Sequence, residues 1–284
     1  MASASVSNLE FIVLGSGTSA GIPVIGCDCD VCSSDDPRDD RTRASVCVRF
    51  VDAGGQERLV LIDTSPDLRR QALRHGINRC DGILYTHSHV DHTFGLDEVR
   101  LLNIRMGRAI DVYAESETMD SLRRIYRHIF DKANNVNVSF VASLVPRQLD
   151  PAQPVDLHGL RFTPLRLLHG KLPILGYRLD VVDSRGKPLE EQPTPLPLAY
   201  CTDVSDIPPE TWSRLTGLRT LILDMLRYKT HATHYSVDQA IKSAERAAAD
   251  ATWFTHMTHD IRHADLDPKL PQGMALAYDG LTLK

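Results

Sequence analysis

The chain has 284 residues, of which 42% are hydrophobic and 24% charged, with a net charge of -5 and a pI near 6.2. That length and balance suit a soluble globular protein with a full core, and the acidic excess argues against a broad basic surface, making nucleic acid an unexpected partner. No run approaches the roughly 18 apolar residues of a membrane helix, and Met1 to Ser5 offers neither a basic start nor an apolar signal core, so no membrane association and a cytoplasmic location are expected.

Leu9 to Leu14 reads as the first strand. The stretch Gly15 to Gly21 after it has neither the G-x-G-x-x-G spacing nor a Walker lysine, so it meets no nucleotide fingerprint; glycine there lets the backbone pass close to another segment. Cys27, Cys29 and Cys32 follow as C-x-C-x-x-C, a metal candidate, whereas Cys47, Cys80 and Cys201 stand in apolar stretches as buried thiols. Ala44 to Asp52 and Glu57 to Asp63 alternate as two strands joined by Ala53-Gly54-Gly55, which supplies the positive φ a hairpin wants. Thr64 to Asp67 then opens a helix with Ser65 as N-cap, Pro66 in the first turn and Gly76 as stop.

The densest chemistry lies next. Gly82 to Tyr85 is a short buried strand, Thr86-His87-Ser88-His89-Val90-Asp91-His92 follows it, and Phe94 to Val99 begins a helix. Three imidazoles and a carboxylate thus crowd one strand-to-helix loop, and they are ligands for zinc, manganese or iron. A turn past the strand end lets His87 and His89 grip one ion while Asp91 and His92 grip a second.

Ile110 to Tyr113 is a strand, and Ser116 caps a helix with Met119, Leu122, Ile125, Tyr126 and Ile129 at core spacing and His128 on its outside. Val138 to Val145, Leu160 to Leu168 and Ile174 to Val182 are strands, and the proline- and charge-rich run from Asp183 to Pro197 is an exposed loop. Leu198 to Cys201 and Thr220 to Leu223 are apolar strands, each running into an aspartate, Asp203 and Asp224. Ser236 caps a helix through Ala249, Thr252 to Thr255 is a strand ending at His256, and Asp279-Gly280 turns a last hairpin between Met274 to Tyr278 and Leu281 to Leu283. Strands first and last in each half with helices between predict a layered α/β sandwich. Two first-row ions need more donors than one loop supplies, and His169, Asp203 and His256 stand at later strand ends, with Asp203 best placed to bridge. His75, His158 and His263 have no evident partners and read as surface residues.

The series His87-x-His89-x-Asp91-His92, then His169, Asp203 and His256, resembles the ligand set of the metallo-β-lactamase superfamily over nearly the whole chain. More narrowly, Gly15 to Gly21 followed by Cys27, Cys29 and Cys32 is similar to the phosphodiesterase of the phosphonate-utilisation (carbon-phosphorus lyase) pathway. The resemblance implies an α/β fold, the αββα four-layer metallo-β-lactamase sandwich, as one domain over 1–284. It also implies a dinuclear manganese or zinc site, a structural zinc held by the three cysteines and His259, and hydrolysis of a small or cyclic phosphodiester. On that basis His87, His89 and His169 hold one metal and Asp91, His92 and His256 the other, with Asp203 and a hydroxide between them. His234 matches the family's catalytic histidine as general acid, with His231 as rival, and Asp63 orients a ligand imidazole. The alternatives on the same metal site are a tRNA 3′-processing endonuclease, whose basic arm is missing from the sequence, and a lactonase, thioesterase or β-lactamase; a metal-binding protein without turnover is the reading outside catalysis. A homodimer is an open expectation for the assembly.

Overall fold

The computed structural model describes residues 6–131 and 140–284. In the first half run β1 (Ser7–Gly15), β2 (Ser45–Val51), β3 (Glu57–Ile62), α1 (Leu68–Arg74), β4 (Gly82–Leu84), α2 (Val90–Thr93), α3 (Arg100–Met106), β5 (Ile110–Ala114), α4 (Ser116–Ile125), α5 (Arg127–Phe130) and β6 (Leu144–Gln148). The second half adds β7 (Val155–Leu157), β8 (Leu160–His169), β9 (Leu172–Val181), β10 (Leu198–Cys201), α6 (Pro209–Trp212), β11 (Thr220–Asp224), α7 (Val237–Ala247), β12 (Ala251–Thr255), α8 (His263–Leu266), β13 (Met274–Leu276) and β14 (Thr282–Leu283). Two seven-stranded sheets result, ordered β14-β1-β2-β3-β4-β5-β6 and β13-β12-β11-β10-β9-β8-β7.

Side-chain alternation decides the layers. Val46, Val48 and Phe50 of β2, Val60 and Ile62 of β3, Leu175, Tyr177 and Leu179 of β9, and Leu198 and Tyr200 of β10 meet in one core between the sheets. The opposite faces point outward: Cys47, Leu59 and Leu61 pack with Leu68, Met119 and Leu122 of the first helical layer, while Ala199, Cys201, Leu221 and Leu223 pack with Val237, Ala240 and Ala244 of the second. This is the αββα sandwich. Among the described residues no helix is long and apolar enough to cross a membrane.

Several boundaries differ from expectation. The last strands are not a hairpin: β13 pairs with β12 in the second sheet and β14 with β1 in the first. The Asp279 carboxylate accepts from Ser16 N–H and Oγ–H and from Thr42 N–H and Oγ–H, at 2.6–2.9 Å, and so anchors the crossing segment to the first sheet. Helix α1 begins at Leu68 instead of Pro66, and its N-cap residue Asp67 spends its carboxylate on Arg43, not on the helix. Helix α4 begins at Ser116 itself, with Glu115 as cap residue and Ile125 partly exposed, at 38%. A helical turn starts inside the histidine motif, at Val90, before the segment expected to begin one. Of the strand expected at Val138 to Val145, positions 138–139 lie outside the described residues, and the strand runs from Leu144 to Gln148. The Asp183 to Pro197 loop is anchored, not wholly exposed: Gln192 bonds both backbone groups of Val181, and Leu196 lies in the core between the sheets. His263 is buried, against Tyr278, instead of on the surface. The early glycine loop does let another segment pass close, since a Cβ on Gly15 would stand 2.0 Å from the Arg43 carbonyl oxygen.

Candidate metal centre

The seam between the sheets, at the carboxyl ends of parallel strands, gathers the polar residues. From the first sheet come Asp63 after β3 and His87, His89, Asp91 and His92 after β4; from the second come His169 ending β8, Asp203 after β10, Asp224 ending β11 and His256 after β12. Asp63, Asp203 and His256 all hold the left-handed backbone conformation, with φ of 65°, 59° and 66°. Each such non-glycine residue costs on the order of 1 kcal/mol, and strain of that kind concentrates at functional sites.

Asp203 sits at the centre. Its oxygens lie 3.1 Å from His92 Nε2, 3.3 Å from His256 Nε2 and 4.0 Å from His87 Nε2, while Asp91 Oδ2 lies 3.4 Å from His92 Nε2 and 3.8 Å from His256 Nε2. Asp91, His92, Asp203 and His256 therefore bring one donor atom each within 4.8 Å of the others. On the other side of Asp203 the rings of His87, His89 and His169 converge with centroids 4.6–5.7 Å apart.

Hydrogen bonds order the protons. His92 Nδ1 bonds Asp63 Oδ2 at 2.8 Å, and Thr86 Oγ donates to the same oxygen at 2.8 Å while bonding His87 Nδ1 at 2.9 Å. His169 Nδ1 bonds the Thr233 carbonyl at 2.8 Å. As neutral ligands, these rings carry their proton on Nδ1 and turn a lone pair on Nε2 into the cluster. Among the described residues His87 Nε2, His92 Nε2 and both nitrogens of His256 are buried without a hydrogen-bond partner. Buried lone pairs facing carboxylate oxygens repel unless a cation lies between them, so the donor set fits divalent metal. The charges respond accordingly: burial pushes His87 well below its usual pKa; burial likewise opposes charging of His92 and His256, but Asp203 and its neighbouring carboxylates raise both; and burial opposes ionisation of Asp203 and Asp91, but the surrounding imidazoles hold both carboxyls down.

His234 forms a wall of the same cluster. It is buried, stacks on His256 with centroids 4.8 Å apart, meets His169 edge-on at 4.6 Å, and bonds Asp224 Oδ1 through Nδ1 at 3.2 Å. His231 is exposed, its Nδ1 bonded to Thr233 and its pKa lowered by burial of part of the ring and by His234. Asp224 was visible in the sequence only as an acid ending an apolar strand, the same pattern as Asp203, and its tie to His234 depends on the loop between them. A recess of about 210 Å³ opens beside His87, lined by Ser88, Glu115, Glu117, Thr118 and an Arg166 paired with Glu115 at 2.5–2.8 Å.

The second cluster is separate. Cys27, Cys29 and Cys32 place their sulfurs 3.3, 3.6 and 3.4 Å from His259 Nδ1. A tetrahedral zinc with thiolate and imidazole bonds of usual length would hold sulfur and nitrogen roughly 3.6 Å apart, so these four residues fit a closed site.

A family described as the β-lactamase superfamily domain matches residues 58–257. An octanoyltransferase from Porphyromonas gingivalis is 37% identical over 278 residues, 96% of this chain and 51% of that protein. A coenzyme PQQ synthesis protein B from Xanthomonas axonopodis is 33% identical over 179 residues, 58% of this chain and 54% of that protein. The chain thus spans about half the length of these curated relatives. Among solved structures, one described as a new diphosphatase from the PhnP family is 40% identical with a TM-score of 0.83, covering 98% of this chain and 97% of that one. Zinc-bound PqqB from Methylobacterium extorquens has the same fold at 20% identity and a TM-score of 0.69, covering 97% and 99% of the two chains. With its two sheets, its histidine–aspartate cluster and this match over most of its length, the chain belongs to the β-lactamase superfamily and has the metallo-β-lactamase fold.

Proposed function

We propose that this protein is a metal-dependent hydrolase that cleaves small phosphodiesters, cyclic ones included, with two divalent cations, manganese or zinc, in the histidine–aspartate cluster and one zinc at the thiolates. The observation that carries the reading is His234: a buried imidazole tied to Asp224 and packed against both His169 and His256 is a proton donor built into the wall of the cluster. Phosphodiester cleavage expels an alkoxide, and such a group needs a proton as it leaves. With Nδ1 committed to Asp224, Nε2 is the atom left to face a leaving group, and in the imidazolium form it carries the proton to be transferred.

His87, His89 and His169 would hold one cation, Asp91, His92 and His256 the other, with Asp203 shared. When bound, such a pair supplies an activated water at neutral pH and neutralises phosphoryl oxygens. The chain's own contribution is to aim the Nε2 lone pairs, through Asp63, Thr86 and the Thr233 carbonyl, and to hold the proton on His234. The neighbouring diphosphatase supports phosphorus chemistry and favours a diphosphate linkage as the second reading. The octanoyltransferase name belongs to a protein about twice as long. Cys47, Cys80 and Cys201 are all buried, with burial raising each thiol pKa, which speaks against acyl transfer through a thiolate of theirs.

The test combines elemental analysis with turnover of bis(p-nitrophenyl) phosphate, a cyclic nucleotide and a diphosphate-linked nucleotide, for wild type and His234→Ala. The expected result is about three ions per chain in both proteins, with kcat lowered roughly 10²–10⁴-fold in the variant. Full loading without turnover of any phosphorus substrate would refute the reading and direct attention to thioesters and lactones.

A further inference from the structure

We infer that Arg41 and the cysteine loop position His256, so that the thiolate cluster and the histidine–aspartate cluster bind their cations cooperatively. The inference rests on reading both clusters as metal centres. The turn after β12 serves both: it gives His256 to one cluster and, three residues later, His259 to the other. His256 holds its place in a left-handed conformation that an isolated chain disfavours, so something must brace it.

The brace comes from the cysteine-bearing segment. Met257 N–H donates to the Ser16 carbonyl at 3.0 Å, and Thr18 N–H returns a bond to the Met257 carbonyl at 3.2 Å. Arg41 is 0% exposed, and its guanidinium donates from Nη1 to the Thr258 carbonyl at 3.0 Å and from Nη2 to the Ile261 carbonyl at 2.7 Å. Those carbonyls flank His259 on either side. Asp39 closes the clamp, accepting from Arg41 Nη2 at 2.7 Å and from His263 N–H at 2.9 Å. Arg41 is itself paired through its backbone with Ile22, shortly before Cys27, so the clamp is tied to the segment that leads into the thiolates.

A cation at the thiolates fixes His259 and with it the turn that presents His256. The second cation then meets a ligand already ordered, and the two affinities rise together; linkage makes the effect reciprocal. Arg41 is a positioning residue, since it touches neither cluster directly.

Cobalt(II) titration of the whole chain separates the two centres, because only thiolate-bound cobalt has a strong sulfur-to-metal charge-transfer band in the near ultraviolet. Cys29→Ser combined with Cys27→Ser and Cys32→Ser should lose that band and also weaken cobalt at the histidine–aspartate centre about five-fold or more. Arg41→Met should weaken both centres, and Arg41→Lys should recover part of the loss because its ammonium still donates to a carbonyl. Unchanged affinity at the histidine–aspartate centre in the triple cysteine-to-serine variant overturns the coupling, whether or not Arg41→Met folds. A folded Arg41→Met with wild-type affinities removes Arg41 from it. A wild-type chain that takes up cobalt at the thiolates alone would instead overturn the reading of the other cluster as a metal centre.

Discussion

Asp63→Asn changes almost no volume, yet it should reverse the proton order of two histidines. In the wild type Asp63 Oδ1 accepts from Thr86 N–H at 2.8 Å, and Oδ2 accepts from Thr86 Oγ–H and bonds His92 Nδ1, both at 2.8 Å. Thr86 Oγ, having given its proton away, is left to accept from His87 Nδ1. An asparagine that keeps its oxygen on Thr86 N–H puts an NH₂ group where two protons already point. Thr86 must then accept, and His92 and His87 must each shift a proton to Nε2, the atom aimed into the cluster. The flipped amide is no better, since its NH₂ meets Thr86 N–H head-on. Loss of an outer partner of this kind weakens metal binding roughly 10–100-fold, or about 1.4–2.7 kcal/mol. A buried donor left unmatched costs about 1–3 kcal/mol in the metal-free protein as well. Competition against a chromophoric chelator reads the first quantity, and denaturant unfolding of the stripped protein reads the second. A folded Asp63→Asn whose metal affinity stays within about two-fold of wild type would refute the proton ordering derived from these contacts.

Asp279 predicts a pH dependence. Burial raises its carboxyl to about 6, against the bonds from Thr42 and Ser16 that favour ionisation. A folded pKa above the unfolded one means stability is highest below about pH 4 and is lost as pH rises through 6. Between pH 4.5 and 7.5 that loss is about 2 kcal/mol, so wild-type stability should fall by that amount relative to Asp279→Asn in urea unfolding, and parallel profiles would contradict it. Gly15→Ala should destabilise by roughly 3 kcal/mol or prevent folding, because its Cβ would stand 2.0 Å from the Arg43 carbonyl oxygen and 2.6 Å from Gln71 Nε2; a Tm within a degree or two of wild type would show the strand can yield. Asp224→Asn should lower kcat about ten-fold or more with the ions retained, and an unchanged kcat would show that His234 works without this anchor.

The sequence by itself determined the alternation that sorts β2, β3, β9 and β10 into inner and outer faces, because period-two patterning is a property of neighbouring residues. It also exposed His87, His89, Asp91 and His92 as one run, and His169, Asp203 and His256 as polar ends of apolar strands, since both patterns are local. The cap at Ser236 was legible for the same reason, whereas its reciprocal partner Gln239 came from the structure. Only the tertiary structure decided which strand ends face one another across the seam. The link from Asp63 through Thr86 to His87 joins separate strands, and the tie of Asp224 to His234 spans an irregular loop. Asp279, which looked like a simple hairpin turn, lies in the crossover from the second sheet to the first and anchors it there because the buried donors of Ser16 and Thr42 need its carboxylate. Arg41, an unremarked basic residue in the chain, became a fully buried clamp for the same physical reason: carbonyls buried by folding must find donors, and which donor reaches them is settled only when distant segments pack together.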